Sequence, residues 1–104
     1  MATATLKNVV IAESDETVEV EGNHYFPPAS IKWDVFEETT HETTCPWKGV
    51  ASYYTVTVDG SAHENVAWTY HKPLEAANNI AKHVAFYPIV QTMFGQDRDT
   101  IEDA

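Results

Sequence analysis

The chain has 104 residues, with sixteen Asp and Glu against six Lys and Arg, a formal net charge of −10 and a pI near 4.6. That length supports one modest core, burying roughly 65% of the extended chain's surface, and excludes a multidomain organisation. The acidity excludes nucleic acid and anionic membrane surfaces as partners, because both are bound through clustered Lys and Arg.

A single cysteine, Cys45, allows no intrachain disulfide and no zinc site of paired Cys-x-x-Cys type. Residues 1–8 lack the basic start and apolar run of a secretory signal, and no apolar stretch approaches the roughly 20 residues of a membrane span, so a cytoplasmic location is expected. A hydrophobic content of 43% with three Trp argues against wholesale disorder.

In chain order, Val9 to Ala12 is a short apolar run, and Thr17 to Glu21 alternates with the period of two of a half-buried strand. A turn over Glu21-Gly22-Asn23 leads to a strand at His24 to Phe26, which Pro27-Pro28 ends. Ile31 to Val35 alternates again and predicts a further strand. Phe36 to Thr44 is polar and acidic, without a stripe, and reads as a loop leading into Cys45-Pro-Trp-Lys-Gly49.

The strongest signal is a hairpin: Ala51 to Val58 is rich in aromatic and β-branched residues, Asp59-Gly60 is a turn, and Ala62 to Tyr70 returns. A three-residue loop through Ser61 is preferred, since it pairs Tyr54 with Val66 and Ser52 with Trp68 and leaves Tyr53, Thr55, Asn65 and His63 on a polar opposite face. Leu74, Ala77, Ile80, Ala81 and Val84 recur at helical spacing behind Pro73 and predict one packed α-helix near residues 73–84. Pro88 favours an extended Val84 to Tyr87. The fold class is therefore mainly β (α+β), a compact curved antiparallel sheet with one helix. Residues 1–94 form one globular domain and 95–104 an acidic, frayed tail.

Cys45 to Tyr54, then Glu64 to Trp68, then Ala76-Ala77 and His83 to Tyr87, preceded by Val18 to Pro27, resemble the family known as domain of unknown function 427 over about Val10 to Pro88. The resemblance implies a β-tent-like fold similar to the curved sheets of methionine sulfoxide reductase B and small zinc-binding β-tent proteins. Their paired cysteines are missing from this chain. Some members are labelled nucleotidyltransferases. That chemistry needs acidic metal ligands and a phosphate cradle, whereas the sequence has no Gly-rich loop and its one Asp-x-Asp, Asp97-Arg98-Asp99, falls in the tail.

Cys45 is the first candidate for chemistry. Lys48 and His41 nearby favour its thiolate, while Glu37, Glu38 and Glu42 oppose it, and a free Cys more often simply fills space. His41 and His83 are the candidate bases. The histidines show no metal-ligand spacing, so neither metal nor cofactor is expected. Trp47, Tyr53, Tyr54, Trp68 and Tyr70 gather into one aromatic region, and Trp47, Lys48, Tyr53 and Asn65 are the candidate ligand-binding residues. The leading expectation is a small domain binding a small or anionic ligand at this aromatic, Lys and Cys pocket. The alternatives are a thiol-dependent enzyme using Cys45 and a homodimeric interaction module.

Overall fold

The structure is a computed structural model and describes residues 1–94, so the expected tail at 95–104 lies outside the described residues. Among the described residues nine strands form three antiparallel sheets. β1 (Ala2–Leu6), β2 (Val9–Ser14) and β9 (Gln91–Phe94) make a three-stranded sheet in the order β2-β1-β9. β3 (Val18–Val20) and β4 (Asn23–Tyr25) form a short hairpin. β5 (Phe36–Cys45), β6 (Gly49–Val58), β7 (Ser61–Thr69) and β8 (Val84–Phe86) form the main sheet in that order.

Both faces of the main sheet are covered. One packs Tyr54, Val56, Val58, Ala67 and Val84 against Leu6, Ile11, Ala12 and Phe26, a dry core shared with the three-stranded sheet. The other carries Ala51, Tyr53, Trp68 and Ala85 against Tyr25, Tyr70, Ala77 and Ile80, under the β3–β4 hairpin and a 3-10 turn. The mainly β expectation holds, and so does the extended segment before Pro88, which is β8.

The α-helix does not. Glu75–Ile80 is a six-residue 3-10 helix broken at Ala77 (φ −114°, ψ 21°), and among the described residues no helix reaches seven. The buried positions Ala77 and Ile80 are three apart, a spacing that satisfies three residues per turn as well as 3.6. Lys82 then takes a left-handed φ of 62° and donates its amide to Tyr70 O at 2.9 Å, which ties the chain to the sheet and ends the helix.

Three further expectations are corrected. Phe36 to Thr44 is strand, not loop. β5 is one of the two edge strands of its sheet and most of its side chains face water, so no apolar alternation is required, while acidic residues on an edge discourage foreign strands. A bulge between Glu38 and Glu42 further breaks its pattern. Ile31 to Val35 is not a strand: Ile31 makes one bridge to Ala12, and Trp33–Val35 is a 3-10 turn.

The β6–β7 hairpin closes on a two-residue turn, with Asp59 and Gly60 both left-handed (φ 50° and 79°), pairing Val58 with Ser61 and Val56 with His63. The register then shifts by two opposite Thr55, where Asn65 is left-handed at φ 54°. Beyond that bulge Tyr54 pairs with Ala67 and Tyr53 with Trp68. A bulge inside the strand, rather than a longer loop at its tip, reconciles the polar residues near the turn with the apolar ones behind it.

Candidate functional site

The aromatic face of the main sheet holds the expected site residues, but in two groups. At one end, the β5–β6 turn carries Lys48, which is only 6% exposed. Its ammonium donates to the Glu21 carboxylate and lies over the rings of Trp47 (5.1 Å) and Tyr70 (5.8 Å). Glu21 occupies the β3–β4 turn with a left-handed φ of 54°, followed by Gly22 at 81°. The ion pair therefore fastens the tip of one hairpin to the tip of another.

Burial pulls the Lys48 ammonium down, yet the Glu21 hydrogen bond and the neighbouring Tyr25, Tyr70 and Glu21 outweigh it and the net direction is up. The Lys48 hydrogen bond holds Glu21 below the usual carboxylate range. Burial pushes the Tyr70 phenol up to about 12, against the opposing pull of Lys48. Cys45 lies half-buried beside the same core. Among the described residues no hydrogen bond joins Cys45 to His41 or His83. His41 packs its ring on Tyr53 at 4.6 Å, and His83 donates Nδ1–H to the Ala81 carbonyl at 2.9 Å.

In the second group Asn65 Oδ1, on the bulge, accepts from Thr39 Oγ1 at 2.7 Å, and the same threonine receives the His41 amide at 3.2 Å. The Tyr53 hydroxyl meets Thr43 Oγ1 at 2.9 Å, and its ring stacks on Tyr87 at 6.4 Å with 16° between planes. A hydrogen bond with Tyr53 and then burial push the Tyr87 phenol up. So Trp47, Lys48 and Cys45 sit at one end of this face, and Tyr53, Asn65 and His41 at the other. Trp68 links them: it contacts Tyr53 and Tyr87 on one side, and its Nε1 donates to Tyr25 Oη at 3.2 Å on the other.

Beside Trp68 opens a cleft of about 430 Å³. Trp68, Phe86 and Tyr87 line it from the main sheet, and Asn23 and His24 from the hairpin. Tyr87 is 43% exposed, and its ring centroid stands 4.8 Å from that of Trp68. Glu21, His24 and Tyr87 were not candidates from the sequence. Glu21-Gly22 was legible only as a turn and Tyr87-Pro88 only as a strand end, since nothing local says that the two approach each other.

A family model described as a domain of unknown function (DUF427), short name NTP_transf_9, matches residues 2–96. The chain belongs to the DUF427 family. No curated protein matches it. The nucleotidyltransferase label requires carboxylates grouped around a metal. Among the described residues of this DUF427 member, no three His, Cys, Asp or Glu side chains are grouped to hold a metal ion, and Asp97 and Asp99 lie outside those residues. The described residues do not fit that group. No described helix is long and apolar enough to cross a membrane.

Proposed function

We propose that this DUF427 protein is a small-molecule-binding module whose ligand enters the cleft between Tyr87 and His24. The observation that carries the reading is the lining of that cleft, in which the aromatic residues Trp68, Phe86 and Tyr87 stand beside the polar Asn23 and His24. Aromatic area with a few orienting polar groups is the usual make-up of a small-ligand site. Lys48 then acts as a positioning residue. Its ammonium is committed to Glu21, so it holds the turn that carries Asn23 and His24 instead of meeting the ligand itself. The Cys45 corner is left to packing.

Titration of the isotope-labelled full chain with a fragment library tests this by NMR. Binders are expected to move the resonances of Asn23, His24, Trp68 and Tyr87. The reading fails if no fragment does so, or if binders instead move Val50, His71 and Leu74, which line a separate groove of about 480 Å³.

A further inference from the structure

Among the described residues two buried ring nitrogens have no hydrogen-bond partner, His24 Nδ1 and His63 Nε2. Of these two rings only that of His24 lines the cleft. It is held in place by Phe94, whose ring centroid lies 4.6 Å away at 55°. A proton on Nδ1 would be a buried donor with nothing to receive it, and orphaned donors are rarer than orphaned acceptors. The proton therefore belongs on Nε2, which has no hydrogen-bond partner among the described residues. His24 thus offers one free donor on the cleft wall.

The remaining walls limit what that donor can meet. Among the described residues no Asp, Glu, Lys or Arg lines the cleft, so none of them gives an anion or a cation an ionic partner there. The Trp68 N–H is already given to Tyr25, leaving the indole to supply ring area alone. The Trp68 and Tyr87 rings, 56° apart in plane, form an aromatic corner suited to one flat group.

From this geometry we infer that the ligand is an uncharged planar heterocycle that packs on Trp68 and Tyr87 and presents a ring nitrogen or carbonyl acceptor to His24 Nε2–H. This rests on the cleft reading above and narrows it to one chemical class. The discriminating probes are benzimidazole, which has a ring acceptor, its near-isostere indole, which has none, and choline, a cation. Each is titrated into the full chain by NMR at about pH 8, where imidazoles are uncharged.

Benzimidazole is expected to move the Trp68 and Tyr87 signals with a Kd about ten times below that of indole, the size of one neutral hydrogen bond. His24→Phe should bring the two to equal affinity, and the wild-type comparison decides the matter even if that variant folds poorly. Equal binding of indole and benzimidazole to the wild type overturns the acceptor requirement while leaving the cleft reading intact. Tightest binding of choline overturns the uncharged class in favour of a cationic ligand. If none of the three moves the Trp68 and Tyr87 signals, the heterocycle inference falls, while the cleft reading is decided by the fragment library.

Discussion

The two faces of the main sheet are built from the same strands and covered in different ways. On one, Val56, Val84, Phe26, Leu6 and Ile11 are fully buried against a second sheet, and apart from the Tyr54 hydroxyl the core side chains are apolar. On the other, Tyr25, Tyr53, Tyr70, Tyr87 and Trp68 bring hydroxyls and an indole N–H, and the cover is a hairpin of two three-residue strands and a broken 3-10 helix. A face sealed by a sheet can do little except hold the fold together. A face covered by two small pieces pinned at their tips leaves an edge open, and the cleft lies at that edge. On the proposed reading recognition falls at that open edge while the sheet-covered side holds the fold together, and substitutions at the two places should behave differently.

The largest effect is expected on the dry side. Phe26→Ala removes a fully buried ring and should cost about 3–5 kcal/mol, read as a lower denaturant midpoint with little change in slope. A loss below about 1 kcal/mol would remove the distinction between the faces. Asn65→Ala comes next. It deletes the acceptor of the Thr39 hydroxyl and leaves an alanine at φ 54°, so about 2 kcal/mol should be lost in the same titration.

The latch predicts an asymmetry between its two partners. Glu21→Gln leaves a buried ammonium without its counter-charge, whereas Lys48→Met leaves an exposed carboxylate in water, so the first should lower the unfolding midpoint more than the second. The pH dependence follows from the directions of the two shifts. Glu21 is held below its ordinary 4.5, so its contribution is present above that pH and fades as pH falls through the lowered value. Lys48 is raised above 10.5, so its contribution is full below that pH and fades only above it. The stability difference between wild type and Glu21→Gln should therefore be flat from about pH 5 to 10 and shrink on either side. A difference that peaks at acid pH contradicts the latch.

Much of the fold was legible because its signals are local. Asp59-Gly60 between β-branched runs forced a hairpin, and Pro27-Pro28 and Pro88 marked strand ends. What was missed depends on partners distant in sequence. The edge position of β5 excuses it from alternation, the shift at Asn65 repairs a register that no loop length could, and Leu74, Ala77 and Ile80 fit two helical periods equally well. At the site, Tyr53, Trp68 and Lys48 stood out by residue type. Lys48 was legible as the unusual cation, yet its partner Glu21 is 27 residues away, and only the folded hairpin turns an apparent anion receptor into a fastener. Tyr87 and His24 carry no local signature, because the cleft exists only where β3–β4 crosses the end of β8.

The smallest stability effect belongs to the residue with the largest expected effect on binding. Tyr87→Ala removes a half-exposed ring and its contacts with Tyr53 and Trp68, and should cost no more than about 1.5 kcal/mol. The central claim, that the aromatic face binds while the dry face only stabilises, is tested most directly by the unfolding midpoints of wild type and Tyr87→Ala, each with and without a cleft-binding fragment. At a hundredfold excess over its Kd the fragment should stabilise the wild type by about 2.7 kcal/mol and leave Tyr87→Ala unmoved. Equal stabilisation of both proteins would contradict the account.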